Sequence, residues 1–194
     1  MKKIANYLKD YICKKGVIKK EDYPIYNYGL QSCLEMSFCI CICSIIAIIM
    51  DALCEGTILW GIFLCVRSYA GGVHFKKYRY CLICSCIVYS VLLILNSWKT
   101  LNNNASLCLC YLCAFIIVMY ASVQTKYIDK EEQCYYRSKL IKRLILITFV
   151  SAVLYIYRYT TMLSMISYSL CAITISAIIQ YIKTNKIHRM RGKC

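Results

Sequence analysis

Long apolar stretches alternate with short polar and basic segments along the whole chain. Six stretches are predicted as membrane spans: residues 30–50, 52–66, 81–95, 105–122, 144–157 and 162–182. The shortest of them contain 14 or 15 residues and would reach only about 21–23 Å as helices, whereas the hydrocarbon core of a bilayer is about 30 Å thick. Either flanking Tyr, Trp and Lys residues extend these helices or one of them is re-entrant, and we expect six crossings.

Residues 1–25 have a different pattern, in which apolar side chains recur at helical spacing with lysines around them. The apolar positions are Ile4, Tyr7, Leu8, Tyr11 and Ile12. This pattern is typical of an amphipathic helix that lies on a membrane surface. The predicted fold is therefore all-α: a single integral membrane domain over residues 1–194, with about six transmembrane helices and an N-terminal amphipathic helix on the cytoplasmic surface.

The composition agrees with a membrane protein. Hydrophobic residues make up 60% of the chain, against roughly 45–50% in soluble domains, and only 17% of the residues are charged. These values disfavour a disordered chain, a coiled coil and a water-soluble enzyme. Most of the 16 cysteines lie within apolar stretches, where cysteine behaves as a small hydrophobic residue, so we expect no disulfide framework.

The distribution of the net charge of +15 indicates membrane topology. Of the 24 lysines and arginines, 22 lie in residues 1–20, 67–79, 123–143 and 183–194, and these segments alternate with pairs of apolar stretches. Basic loops are retained in the cytoplasm, so we predict a multi-pass protein in contact with membrane lipids, with both termini cytoplasmic. A nucleic-acid partner is not expected, because the chain has no soluble basic domain.

The segment between the second and third spans contains the residues best suited to chemistry. Its sequence is Arg67-Ser-Tyr-Ala-Gly-Gly-Val-His-Phe-Lys-Lys-Tyr-Arg-Tyr-Cys81, and it holds one of the two histidines of the chain. A thiol attacks a carbonyl as the thiolate, which forms with the help of a base or nearby positive charge. We therefore predict Cys81 as a nucleophile and His74 as its base. Gly71 and Gly72 permit a turn and the close approach of a peptide.

The spacing of His74 and Cys81 places a condition on this pair. The two residues are seven positions apart, and a continuous helix would separate them by about 10.5 Å along its axis. Proton transfer requires about 2.6–3.2 Å between the heavy atoms, or one intervening water. The chain between them must therefore bend back if both residues of one site come from one chain.

Two other interpretations of this segment remain open. In the first, it is a solvated basic loop with an incidental histidine and an interfacial cysteine. In the second, it is part of a metal site. The candidate metal ligands are His74, Cys81, Cys84 and Cys86. Their spacing lacks a recognisable zinc pattern, and we expect neither a metal nor another cofactor.

The same segment resembles the accessory gene regulator B family, membrane endopeptidases that process the precursors of cyclic autoinducing peptides. The matching motif is Arg67-x-x-Ala70-x-Gly72-x-His74, followed seven residues later by Cys81. The length, the six-span layout and the basic N-terminal region are also similar to those of the family.

A second segment extends the resemblance beyond this loop. After the fourth span, Tyr120-Ala121 and Thr125-Lys126 resemble a further segment of the family, and Ser122 stands where the family usually has proline. The similarity covers nearly the whole chain, but only the histidine and cysteine segment is specific.

The resemblance implies a cysteine endopeptidase of the bacterial cell membrane that acts in quorum sensing without a cofactor. Its substrate would be a precursor with an amphipathic leader, an internal Cys or Ser and an acidic tail. Cys81, activated by His74, would release the tail through an acyl-thioester, and the precursor's own Cys or Ser would close a thiolactone or lactone ring. Arg67, Gly71 and Gly72 are candidates to bind the substrate or the developing oxyanion, and the alternative for Arg67 is a purely structural role at the membrane edge. The family tends to act as a dimer, so a homodimer is expected.

Two other classes of function are compatible with a small polytopic protein. A transporter or exporter typically carries polar or charged residues in several spans, and only Glu35 and Glu55 fit this pattern. A non-enzymatic scaffold would use the basic loops as docking surfaces. Replacing Cys81 with Ser or Ala distinguishes these classes, because only the enzyme would lose peptide cleavage while keeping its fold and location.

Overall fold

The computed structural model describes residues 23–70, 78–98, 100–120 and 130–191. They contain six α-helices: α1 Tyr23–Ile49, α2 Leu53–Ala70, α3 Tyr78–Trp98, α4 Asn103–Tyr120, α5 Lys130–Ile156 and α6 Thr160–Arg191. Each predicted span overlaps one of these helices, in the predicted order, and residues 121–122 of the fourth span lie outside the described residues. The predicted all-α fold is therefore confirmed.

Four stretches of the described chain are helical, long and apolar enough to cross a membrane. They are Gly29–Ile49, Tyr80–Trp98, Asn103–Tyr120 and Thr160–Ile182, which belong to α1, α3, α4 and α6. The other two helices are less apolar, since α2 carries Glu55 and Arg67 and the first half of α5 is rich in charged residues. The crossings of α2 and α5 therefore stay predictions.

Three of the predicted spans are short, and the helices that contain them are longer. α3 has 21 residues and is about 31 Å long. α2 has 18 residues and α5 has 27, which correspond to about 27 Å and about 40 Å. Flanking residues such as Tyr80 and Trp98 are part of the helices, so the helix lengths approach or exceed the roughly 30 Å of a hydrocarbon core.

The helix α1 begins at Tyr23, seven residues before the start of the first predicted span. Residues 23–25, which the sequence assigns to the surface helix, therefore continue directly into α1. Residues 1–22 of that predicted surface helix lie outside the described residues.

Two tight turns connect neighbouring helices without glycine. Asp51 follows α1 with a φ of 51°, and its N–H donates to the carbonyl of Ile48 at 3.1 Å, while the N–H of Ala52 donates to the carbonyl of Ala47 at 2.9 Å. Arg158 follows α5 with a φ of 59°. Its N–H donates to the carbonyl of Tyr155, and the N–H of Tyr159 donates to the carbonyl of Leu154, both at 3.1 Å. This is the Schellman arrangement that ends many helices. The turn at Arg158 lies where the sequence predicts a helical hairpin.

α6 is the central helix of the bundle, in contact with α2, α3, α4 and α5. Its buried side chains include several small polar ones: Ser164, Ser167, Ser169 and Thr174. The hydroxyls of Ser167, Ser169 and Thr174 each donate to a carbonyl oxygen of the preceding turn at 2.7–2.8 Å, and the Ser164 hydroxyl bonds to Asn96 of α3, so none is buried without a partner. Small side chains let neighbouring helices approach closely, as is common in membrane bundles.

Two apolar clusters lie on either side of α2. One joins α2 to α4, α5 and α6 and includes the fully buried Ile117 and Leu170. The other joins α2 to α1 and α3, includes Cys43 and Leu93, and receives Met165 from α6. These clusters hold α2 between two parts of the bundle.

α3 packs less closely against α2 and α6 than α4 does against α6. One contact between α3 and α6 is a buried hydrogen bond from the hydroxyl of Ser164, near the start of α6, to the side-chain oxygen of Asn96, near the end of α3. The looser packing of α3 leaves a space between the three helices, and this space contains the candidate site.

Candidate active site

A groove lies between α2, α3 and α6. Its volume is about 320 Å³. The lining side chains are Leu59, Trp60, Phe63 and Arg67 of α2, Cys81, Cys84, Ser85, Val88, Tyr89 and Leu92 of α3, and Ser169, Ala172, Ile175, Ser176 and Ile179 of α6. The groove thus brings together two predicted site residues, Arg67 and Cys81, from different helices.

Cys81 lies in the first turn of α3, which begins at Tyr78. Its side chain is half-buried and its thiol is free. The first turn of a helix has N–H groups without intrahelical partners and the positive end of the helix dipole, and both favour negative charge nearby. The start of α3 therefore places this thiol where helix geometry supports an anion.

Arg67 lies in the last turn of α2 and lines the groove from another wall. The carbon at the centre of its guanidinium is 5.0 Å from the centroid of the Phe63 ring, one turn earlier on the same helix. This cation–π contact orients the long side chain. Arg67 thus supplies positive charge to the groove that contains Cys81, where it is suited to a carboxylate or an oxyanion.

The other predicted site residues, Gly71, Gly72 and His74, lie outside the described residues. The flanking helices end at Ala70 and begin at Tyr78. The pairing of His74 with the nucleophile therefore stays a prediction.

The cysteines of α3 divide between two of its faces. Cys84 is exposed and lines the groove one turn along from Cys81. Cys86 instead meets Cys39 and Cys43 of α1, and the three sulfur atoms lie within 4.8 Å of one another. The alternative metal-ligand set weighed from the sequence, which needs Cys81, Cys84 and Cys86 together, is therefore not assembled among the described residues.

The groove contains polar residues that the sequence analysis missed: Trp60, Ser85, Ser169 and Ser176. Ser85 follows Cys81 by four positions, so helical spacing alone places both on one face of α3. Ser176 is 95 positions after Cys81, and no local pattern indicates that it reaches the same groove. Ser85 and Ser176 both line the groove, where a ligand can reach their hydroxyls.

Comparison with known proteins places the chain in a family. No curated protein and no solved structure matches the chain significantly. The family model for accessory gene regulator B matches residues 1–184, which include the whole groove and the segment from Arg67 to Cys81. The chain therefore belongs to the accessory gene regulator B family, membrane proteins with a role in processing quorum-sensing peptides.

Proposed function

We propose that the chain is a membrane-embedded cysteine endopeptidase that removes the C-terminal tail of a precursor peptide and promotes its cyclisation to an autoinducing peptide. The observation that carries this proposal is the groove that Cys81 and Arg67 line together. Both residues belong to the sequence motif that resembles the family, and their helices flank the segment with His74.

The first half of the reaction is cleavage. His74 takes the proton of the Cys81 thiol, and the thiolate attacks the carbonyl carbon that joins the central part of the precursor to its tail. The positive charge of Arg67 stabilises the oxyanion that forms. The C–N bond then breaks, His74 gives its proton to the leaving amine, and the acyl group stays on Cys81 as a thioester.

The second half of the reaction is ring closure. The precursor's own Cys or Ser attacks the thioester carbonyl, its proton passes through His74 to the departing Cys81 sulfur as the bond to Cys81 breaks, and the product leaves as a thiolactone or a lactone. For an attacking Cys, one thioester replaces another, so the exchange is nearly balanced in energy and needs no ATP. The apolar walls of the groove limit the access of water, which would hydrolyse the intermediate.

The charge pattern supports an acidic tail as the leaving segment. Most of the net charge of +15 lies in segments that we place in the cytoplasm together with both termini. Such a surface attracts an acidic peptide and keeps it near the membrane. The exposed apolar side chains of the bundle, such as Phe115 and Phe149, suit contact with lipid or with a second copy of the chain.

The test uses the purified full-length protein in liposomes with its cognate precursor peptide, which carries an amphipathic leader, an internal Cys or Ser and an acidic tail. We expect the wild type to release the tail, and we expect Cys81→Ala and His74→Ala to lose tail release while keeping the helical circular-dichroism spectrum. The matched control is Cys134→Ala, which removes an exposed thiol that does not line the groove and should leave tail release unchanged.

Mass spectrometry of the trapped enzyme identifies the nucleophile. A precursor whose internal Cys is replaced by Ala cannot close the ring, so the acyl group should accumulate on Cys81. An acyl group on Cys84, or tail release by Cys81→Ala, would contradict the assignment of the nucleophile.

A further inference from the structure

The groove extends well beyond the reacting thiol. On α3 it runs from Cys81 to Leu92, a rise of about 16 Å along the helix. Cys81 and Arg67 lie at the helix ends that flank residues 71–77. The rest of the groove is too far along α3 to touch the reacting atoms, and it therefore forms a separate subsite.

The walls of this subsite combine apolar side chains with hydroxyl groups. Val88 and Leu92 of α3 and Ile175 of α6 are apolar, while Ser85 and Ser176 line the groove from α3 and α6. Peptide N–H and C=O groups need hydrogen-bond partners in apolar surroundings, whereas a lipid acyl chain forms no hydrogen bond with a hydroxyl. The lining therefore suits a peptide segment with apolar side chains better than it suits a lipid.

We propose that the subsite binds the precursor residues on the amino-terminal side of the scissile bond, in an extended conformation, and selects apolar side chains there. This inference rests on the proposed function, because it takes Cys81 as the attacking residue. Ser85 lies one turn, about 6 Å, from Cys81 along α3, and an extended chain advances about 3.3 Å per residue. The Ser85 hydroxyl is thus placed to bind the backbone near the second residue before the scissile bond.

The size and charge of the groove agree with this occupant. A volume of about 320 Å³ is near the lower end of the range for ligand sites, so the groove holds a short segment and not the whole precursor. The positive charge is at the Cys81 end, on Arg67, where the acidic tail would begin. The apolar residues before the scissile bond enter the groove, and the tail stays outside it.

A pair of tryptophan variants on α3 tests the subsite. Val88 lines the groove, whereas Val91, also exposed and on the same helix, does not. We expect Val88→Trp to fill the groove and lower kcat/KM for tail release by more than about tenfold, mainly through KM. Val91→Trp adds the same bulk outside the groove and should keep the wild-type value. Alkylation of Cys81 by iodoacetamide should proceed equally in both variants, since neither changes the thiol or the fold.

The precursor itself supplies a second measurement. Replacing an apolar residue at the second position before the scissile bond by Asp should lower kcat/KM by more than about tenfold, whereas replacing it by another apolar residue of similar size should have a small effect. Equal effects of the Asp and the apolar replacement would contradict the predicted selectivity.

Photo-crosslinking measures binding separately from cleavage. Benzoylphenylalanine at that second position should crosslink to the Ser85–Leu92 or Ser169–Ile179 segment of Cys81→Ala protein in liposomes, and the same probe in the tail should not. Groove crosslinks in Cys81→Ala together with no tail release by the wild type would keep the subsite and remove the peptidase function. Equal cleavage by the two tryptophan variants, or the absence of groove crosslinks, would overturn the peptide subsite. Lipid acyl chains would then be the alternative ligand of the groove.

Discussion

Arg143 of α5 lies over the ring of Tyr69 of α2, with the guanidinium carbon 4.2 Å from the ring centroid. The guanidinium also donates hydrogen bonds to the Tyr69 hydroxyl at 3.1 Å and to the backbone carbonyl oxygen of Cys65 at 2.9 Å. One side chain thus ties α5 to the last two turns of α2. These turns carry Arg67 and lead into the segment with His74, so Arg143 supports one wall of the candidate site.

Arg143→Ala should destabilise the protein and lower tail release. We expect a loss of about 1–3 kcal/mol in the free energy of unfolding, because hydrogen bonds from a charged donor are lost and the end of α2 is released. Thermal unfolding in detergent and the cleavage assay measure the two effects. Lys142→Ala removes the same charge from an exposed neighbour and is the control. An equal loss of activity in both variants would mean that net charge, and not the contact with Tyr69, matters.

Gly56 of α2 tests how closely α1 and α3 pack against this helix. A Cβ at this position would overlap the Tyr89 hydroxyl and lie 2.9 Å from the Cβ of Ala47, so the Tyr89 side chain and α1 would have to move. We expect Gly56→Ala to lower the free energy of unfolding by about 1–3 kcal/mol. A Cβ at Gly61, on the same helix, meets nothing within 4 Å.

Gly61→Ala is therefore the matched control for this prediction. It should be neutral or stabilising by up to about 1 kcal/mol, since alanine has the higher helix propensity. Equal melting temperatures of the two variants in detergent would show that α1, α2 and α3 are not packed as described.

The sequence predicts the helices because each apolar stretch is a local signal. The extra turns of α3 beyond residues 81–95 are less apparent, because flanking residues such as Tyr80 and Trp98 are polar or amphipathic and become helical by continuing a formed helix. The end of α1 is predicted to within one residue, because Asp51 interrupts the apolar stretch, but its left-handed conformation is not, since that position usually belongs to glycine.

The candidate site is only partly predictable for a different reason. Arg67 and Cys81 are identified from one segment of sequence through the family motif. Ser176 reaches their groove through the packing of α6 against α2 and α3, and contacts between distant residues leave no local pattern. Similarly, Cys39 and Cys43 share a face of α1 by their spacing, but their contact with Cys86 depends on how α1 packs against α3.

The left-handed turns offer positions where glycine should stabilise the protein. Asp51 and Arg158 hold φ values of 51° and 59°, a conformation that costs about 1–2 kcal/mol for a residue with a Cβ. Asp51→Gly and Arg158→Gly should therefore each raise the free energy of unfolding by about 0.5–1 kcal/mol, less than the full cost because glycine also gains freedom in the unfolded chain. Thermal unfolding measures this, and Asp51→Ala, which keeps a Cβ, should show no gain. A gain with alanine as large as with glycine would contradict the explanation by backbone strain.

Cys54 and Cys134 test whether α2 and α5 cross the membrane. Both thiols are exposed, and they lie near the starts of these two helices. With six crossings and a cytoplasmic N-terminus, Cys54 lies outside and Cys134 inside. If α2 and α5 did not cross, the remaining four spans would place both thiols outside. The basic residues at 67–79 and 123–143 favour the first arrangement.

A membrane-impermeant maleimide distinguishes these topologies in variants that retain one of the two cysteines and no other. We expect labelling of Cys54 in intact cells and labelling of Cys134 only after permeabilisation, with a cysteine-free variant as the blank. Labelling of Cys134 in intact cells would overturn the six crossings. It would also move the Cys81 end of the groove to the outer surface, where a precursor made in the cytoplasm would have to cross the membrane before it could be cleaved.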